Sequence, residues 1–534
     1  MEEDSIDYVL FGGLDVSTQG TKFVIINREE VIYTDKVEYD RDLSHYETKN
    51  GSIKNSSPEI SESDPNMWIE AIHILFQRAS EKLGDKMKLL EGISVSGQQH
   101  GLVCIGKDGE LSHPVSKLWN DFSTLEECKI LTEKIGGKSK MIEEVCSIQK
   151  TGYTASKIFH LVRHYPENFE KTKWILVVHN YINYILTGGK ESGICVMERG
   201  DVSGSALWNA RTNNWSDSVI AAIHPSLKQK LPEVKRSRDS IGTIGEEFVK
   251  QYGLNPVCEI CSGSGDNMMS AIGTANIEEG IMTLSLGTSG TAFTFTKTPI
   301  IDPSGEIESF CDATSHFLPL LCISNLAKGY HSFLQTHNLT HKDFEDLIHL
   351  TPPANNFNII VPWFQGERTP YFPLAAPIYF GFDLKDISSK ECLARAVLEG
   401  HVLLLHEGFC SLLALLPESF ILKEIRLTGG LSKSRVWKQT IADIFQSPVV
   451  TVKGEGAALG AAIHARWSIR KDEDIKFIVK KYVVFEEEVI QCNPDTQEIY
   501  NNLTLLYQAI SKRVRGIDGN DPFILLNEFR KNIN

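Results

Sequence analysis

Short apolar runs alternate with amphipathic stretches along most of the chain, and one pattern occurs twice. Residues 8–26 read as an apolar strand, the turn Asp15-Val-Ser-Thr-Gln-Gly-Thr-Lys22 and the apolar run Phe23–Ile26. Residues 281–296 repeat that order, with Gly287-Thr-Ser-Gly-Thr291 as the turn and Ala292–Phe295 as the second run. Two strands around a short Gly/Ser/Thr turn predict a β-hairpin. The hairpins are separated by about the length of a domain, so the repeat predicts two halves built on one plan.

After the first hairpin the pattern predicts a strand at Val31–Glu38. A helix follows, with Asp64 as N-cap, Pro65 at the first helical position and Trp68, Ile72, Leu75 and Phe76 on one face. A buried strand follows at Gly92–Ser96. The second half predicts helix Lys390–Leu416, strand Ile425–Thr428, helix Ser434–Phe445, strand Val449–Lys453 and helix Gly456–Trp467. Helices alternating with buried strands imply a partly parallel sheet covered on both faces, hence an α/β fold with two domains and a cleft between them. Residues 468–534 are charged, carry an amphipathic helix near Glu498–Arg513, and are expected as a tail on the surface.

Composition narrows the function. A chain of 534 residues holds a few domains. A net charge of −15 lacks the basic face that nucleic-acid binding needs. The start, Met1 to Asp4, is acidic where a signal peptide is basic. The longest apolar candidate for a membrane span, 402–416, is broken by Glu407 and Gly408. No membrane partner is therefore expected. Eleven cysteines without dense spacing predict reduced thiols in a cytoplasmic protein. Cys258 and Cys261 form a CxxC pair in an apolar stretch, without the second ligand pair of a zinc site, and are expected to pack within a strand. His160, His164 and His179 are scattered and carry no metal spacing on this reading.

Candidate chemistry lies in the glycine-rich loops 15–22, 262–267, 287–291 and 429–434. Such loops aim several N–H donors at one point, and Ser/Thr hydroxyls add more, which is what a phosphate requires. Surface hairpins use the same residues; here all these loops fall at strand ends or hairpin tips. Gly137-Lys138-Ser139 lacks the first glycine of a P-loop, and Gly454-Glu-Gly-Ala-Ala-Leu-Gly460 departs from the dinucleotide spacing, so its glycines are expected to permit close packing. Asp15 ends an apolar strand and Asp266 sits in Ser262-Gly-Ser-Gly-Asp-Asn267. Charges placed there need partners. Asp266 reads equally as a capping residue for helix 267–275.

At these residues the sequence resembles the FGGY family of carbohydrate kinases, within the actin-like ATPase superfamily. The motifs are Gly13-Leu-Asp-Val-Ser-Thr-Gln-Gly-Thr-Lys22, Ser96-Gly-Gln-Gln-His-Gly101, Leu118-Trp-Asn-Asp121, Gly263-Ser-Gly-Asp-Asn267, Leu286-Gly-Thr-Ser-Gly290, Gly366-Glu-Arg-Thr-Pro370 and Thr428-Gly-Gly-Leu-Ser432. Within the family, Ser96–Gly101 and Gly200-Asp-Val-Ser-Gly-Ser205 look most like the branch that phosphorylates xylulose. Gln99-His100 stands where glycerol-specific members carry Arg-Glu, leaving neutral hydrogen-bonding groups. Many bacterial members read Trp-Asn-Asp-x-Arg; here Ser123 replaces that arginine. The proline often found in the Thr-Ala-x-Lys stretch is Ser156.

The resemblance implies two actin-like (ribonuclease H-like) domains: residues 1–274, holding the sugar and the catalytic aspartate, and residues 275–534, holding ATP and ending in the helical tail. It implies Asp266 as catalytic base, with Asp15 beside it. Gln99, His100, Asp266, Asn267, Trp119 and Asp121 would meet the sugar. Thr18, Gln19, Gly20 and Thr288 would meet the ATP phosphates with Lys22 nearby, and Gly429, Gly430 and Ser434 the adenosine. Asp15 and Asp266 would organise Mg²⁺, largely through water. The expected partner is a small sugar, with D-xylulose first and ribulose, gluconate, sedoheptulose or glycerol as alternatives, and the family allows a homodimer. An ATP-switched interaction protein on the same fold is the reading from a different class.

Overall fold

The strand Leu10–Val16 is buried along its whole length, as a strand covered on both faces must be. In the computed structural model, which describes residues 9–55, 57–364, 366–372, 374–454 and 456–532, it pairs antiparallel with Gly20–Ile26 and parallel with Leu90–Gly97. The sheet runs Ser240–Thr243, Glu259–Cys261, Leu90–Gly97, Leu10–Val16, Gly20–Ile26, Val31–Glu38, and the short strand Ser264–Gly265 also pairs Leu90–Gly97. Register matters most here. Asp15 lies opposite Ser96, and Ser96 lies opposite Ser264, all in parallel pairing. The loops after Val16, Gly97 and Gly265 therefore leave the same end of the sheet, where ligand sites of open α/β sheets form.

Local sequence explains the flanking helices. Asp64 accepts from the Asn66 N–H at the start of helix Pro65–Leu83, and Trp68, Ile72, Leu75 and Phe76 are buried on its inner face. Cys258 and Cys261 are buried at strand Glu259–Cys261, in keeping with a packing role. The acidic start, Met1 to Asp4, and Glu455 within the 454–460 stretch lie outside the described residues.

Packing divides the chain into two compact units, each discontinuous in sequence. The first comprises residues 1–277, 295–319 and 454–484; the second comprises 278–294, 320–453 and 485–534. These packing units cross the sequence division between residues 274 and 275, which is an interleaving of the two along the chain. Its physical cause is the helix Gly456–Ile469, apolar on nearly every side, which packs on strand Leu10–Val16 and on helix Asp266–Gly273. Glycine allows the approach of the two helices. A Cβ on Gly273 would sit 1.7 Å from the Gly456 carbonyl oxygen, and one on Gly460 would sit 1.8 Å from that of Met269.

In the second unit the sheet runs Phe317–Ile323 (from Leu320 on), Gly290–Thr294, Ile281–Leu286, Glu424–Thr428, Val449–Lys453. Ile281–Leu286 pairs antiparallel with Gly290–Thr294 and parallel with Glu424–Thr428, the arrangement of the first hairpin over again. Helix Lys390–Leu413 is long and apolar enough to cross a membrane by length and composition alone, but 72% of its apolar window is buried inside the protein, so it is a core helix.

The surface-tail expectation for residues 468–534 needs correction. Helix Ile475–Tyr482 belongs to the first unit and buries Ile478, Val479 and Tyr482. Helix Gln497–Val514 belongs to the second and buries Tyr500, Leu503, Leu506 and Tyr507 against helices Arg435–Phe445 and Lys390–Leu413. The amphipathic pattern was visible, but a surface coat and a core layer share it until the depth of the partner face is known.

The glycine contact yields a test. Gly273→Ala should lower folding stability by about 1–3 kcal/mol or more, because backbone rather than a flexible side chain must yield. Urea unfolding of both proteins checks this; an unchanged midpoint would contradict the packing described.

Candidate active site

Three parallel strand ends in the first unit supply the reactive groups. Asp15 is 5% exposed and accepts a hydrogen bond of 2.8 Å from Ser96 Oγ. Asp266 follows strand Ser264–Gly265 and opens helix Asp266–Gly273, where its Oδ1 accepts from the Asn267 N–H at 2.9 Å. Gly265 is the N-cap of that helix and no side chain caps it, so Asp266 stands in the first turn without serving as the cap. Part of Asp266 stays accessible, while its carboxyl is enclosed. That burial, with the carboxylates of Asp15 and Asp201, pushes the Asp266 carboxyl up to about 8, against the pull of the local N–H donors.

The loop after Gly97 brings Gln99 and His100 to the same end. Asn267 Nδ2 donates to Gln99 Oε1 at 2.9 Å, which leaves the buried Gln99 Nε2 as an unused donor. His100 holds a left-handed backbone, φ 67°. Lys157 Nζ and Thr154 Oγ1 donate to its carbonyl oxygen at 2.7 and 3.3 Å. Its ring lies beside Tyr153 and Phe310, and a Cβ on Gly204 would fall 2.5 Å from its Cε1. The Gly200–Ser205 motif therefore acts by leaving room for this imidazole. Ser156 is taken up by a hydroxyl contact with Thr124 at 2.9 Å.

Trp119 Nε1 donates to Thr18 Oγ1 at 2.9 Å, and Thr18 in turn donates to Gln98 Oε1, so the first hairpin is tied to the sugar-side loops. Gln19 at the hairpin tip is exposed, Gly20 begins the return strand, and Lys22 lies directly opposite Asp15, on the same face of the sheet. Asp121 differs from expectation. It is 0% exposed, and its carboxylate accepts from Ser61 N, Ser123 N and Ser123 Oγ and faces Lys117 Nζ at 3.3 Å. Its charge is turned inward, so it ties Ser61, Lys117 and Ser123 together rather than offering oxygens to a ligand. Lys117 also bonds Ser123 Oγ at 2.9 Å and pairs with Glu62 at 3.0 Å. A lysine cation thus stands beside Asp121 where Ser123 supplies none.

The second unit holds a cavity of about 720 Å³ lined by Thr288, Tyr330, Glu345, Gly430, Leu431 and Ser434, among others. Small-molecule sites span roughly 300–1,000 Å³. Thr288, Gly430 and Ser434 line this one cavity; Gly429 adjoins Gly430 just outside the lining. Ser434 Oγ donates to Glu345 Oε1. Thr288 is exposed at the hairpin tip, and its carbonyl oxygen accepts from Ala327 N at 3.0 Å.

Several buried groups beneath Asp266 gave little sequence signal. His179 Nδ1 pairs with Asp201 at 2.8 Å, both 0–1% exposed. Glu198 is fully buried, accepts from Ser264 Oγ at 2.7 Å and Ser237 Oγ at 2.8 Å, and burial raises its pKa. They fix the Ser262–Asn267 loop from below. Asp201 stood inside a recognised motif; Glu198 and His179 could be found only from the fold.

Comparison with known proteins gives the family. Residues 10–273 match the FGGY family of carbohydrate kinases, N-terminal domain, and residues 282–469 match its C-terminal domain. The chain is 33% identical over 502 residues to the xylulose kinase of Haemophilus influenzae, covering 92% of this chain and 97% of that protein. A ligand-bound xylulose kinase from Lactobacillus acidophilus has TM-score 0.84 at 24% identity, over 95% of this chain and 98% of that one. Glycerol kinase from Plasmodium falciparum, solved with ADP, has TM-score 0.80 at 19% identity, over 94% and 98%. The two mixed α/β domains have the actin-like fold, and the chain belongs to the FGGY family of carbohydrate kinases.

Proposed function

We propose that this kinase transfers the γ-phosphoryl group of ATP to a ketose, with D-xylulose as the acceptor and D-xylulose 5-phosphate as the product. The observation that carries this reading is the placement of Asp266 beside the Gln99–Asn267 pair at one sheet end. Amide and imidazole groups recognise an uncharged polyol without a charged clamp. Kinases named for xylulose among the relatives support the same acceptor.

The chain's own groups divide the work. Gln99, His100 and Asn267 would hold the sugar so that one hydroxyl faces Asp266. That hydroxyl is too weak an acid to ionise first, so Asp266 would accept its proton as the bond to phosphorus forms. In the first unit, Thr18, Gln19 and Gly20, with Lys22 nearby, are the groups suited to phosphate oxygens, and in the second unit Thr288 is. The pocket of Gly430 and Ser434 would take the adenosine, with Gly429 at its edge. Asp15 and Asp266 fit Mg²⁺, which takes oxygen ligands and would offset the like-charge crowding that, together with burial, raises the Asp266 pKa. When bound, Mg²⁺ supplies charge neutralisation for the transferring phosphoryl group. A second reading keeps this chemistry and changes the acceptor to another polyol, which Ser123 in place of the usual arginine leaves open.

Asp266→Asn should lower kcat by on the order of 10²–10⁴ while sugar binding persists; near-normal turnover would remove Asp266 from the role. Gly204→Ala should displace the His100 ring and raise the sugar KM about tenfold or more, with the ATP KM little changed; an unchanged sugar KM would show that His100 is not a sugar contact. ADP release measured across D-xylulose, ribulose, gluconate, sedoheptulose and glycerol should give the highest kcat/KM with D-xylulose, and a higher value with any other would reassign the acceptor.

A further inference from the structure

On the first unit, away from Asp15 and Asp266, three ligand-type side chains converge. Helix Thr154–His164 carries His160 and His164 one turn apart, and helix Leu125–Ile135 carries Glu127. This i, i+4 spacing puts two imidazoles on one helix face, so the pair does have ligand spacing, contrary to the sequence reading above. Glu127 Oε1 lies 3.6 Å from His160 Nδ1 and 3.3 Å from His164 Nε2, and the three donor atoms fall within 4.8 Å of one another. Ligands bonded to one tetrahedral ion at about 2.0–2.1 Å stand roughly 3.3 Å apart, so both imidazoles already stand near ligand spacing from Glu127, and the two rings need to close on each other.

We propose that His160 Nδ1, His164 Nε2 and Glu127 Oε1 bind a divalent transition-metal ion of the zinc class, with the fourth position open to solvent beside the exposed His164. Two imidazoles and a carboxylate suit such an ion and not Mg²⁺, which takes oxygen ligands. His160 Nδ1 is buried and makes no hydrogen bond among the described residues. Cations also face the cluster: Arg163 Nη1 donates to Glu127 Oε1 at 2.7 Å, and Lys117 acts on His160. Against them stand Asp121 and Glu126. Arg163 Nη2 already bonds Glu126 at 3.0 Å, so Arg163 keeps an anchor when Glu127 Oε1 turns to the metal.

The test titrates the chelator-treated full-length protein with Co²⁺, following its visible absorption and binding stoichiometry. One Co²⁺ per chain with tetrahedral-type absorption is expected, displaced by Zn²⁺. His164→Ala, a change at an exposed side chain that leaves the fold and kinase activity intact, should weaken Co²⁺ binding at least about tenfold. Glu127→Gln should do the same, while Asp266→Asn should retain the Co²⁺ signal. No Co²⁺ spectrum in the wild-type protein, or unchanged affinity in His164→Ala, would overturn the proposal.

Discussion

Like-charge crowding at one sheet end is the constraint from which the active-site architecture follows. Parallel pairing of Leu10–Val16, Leu90–Gly97 and Ser264–Gly265 delivers Asp15 and Asp266 to one place, and Asp201 adds a third carboxylate from below. A fold minimising its own electrostatic energy would not collect these charges in a poorly hydrated spot. The protein tolerates them by giving Asp15 the Ser96 hydroxyl, Asp201 the His179 imidazole and Asp266 the Asn267 N–H. Burial, and then the repulsion that remains, keeps a proton on Asp266 in the ligand-free protein; a cation bound beside it would lower that pKa and free the carboxylate to act as the base. A raised carboxyl pKa means the folded state binds that proton more tightly than the unfolded chain does. Its stabilising contribution is therefore present in acid and is lost as pH rises from the ordinary Asp value through about 8. A dication and a phosphoryl group in transit need such a cluster of oxygens, so the feature that costs stability is the one that suits phosphoryl transfer.

The fold was largely legible because its signals are local. Two hairpins with Gly/Ser/Thr turns, the Asp64-Pro65 helix start and the buried runs at 90–97 and 281–286 each follow from periodicity and caps. What the sequence hid depends on depth. The helix Gln497–Val514 looks like a surface coat until its apolar side is found against core helices. The unit boundaries were hidden for a similar reason: Gly456–Ile469 is far along the chain yet packs on the first strand, through glycines whose partners are backbone atoms.

The candidate site divides in the same way. Asp15, Asp266, Gln99, His100 and Asn267 were legible because strand-end motifs carry them, and pairing of adjacent strands brings them together. Asp121 was misread, since a motif aspartate next to Trp119 can face a ligand or its own loop, and only burial distinguishes the two. His179 and Glu198 were invisible, because a buried polar residue looks like any other until its partner is known. The His160–His164 pair was written in the sequence, but Glu127 lies on another helix and only packing brings it alongside.

The protonation state of Asp266 tests this account most directly. Carbon-13 NMR of its carboxyl, titrated in the metal-free, nucleotide-free protein, should show a midpoint near 8, and Asp15→Asn should move that midpoint down. A wild-type midpoint in the ordinary aspartate range, about 4, would contradict the burial and crowding of carboxylates on which the account rests.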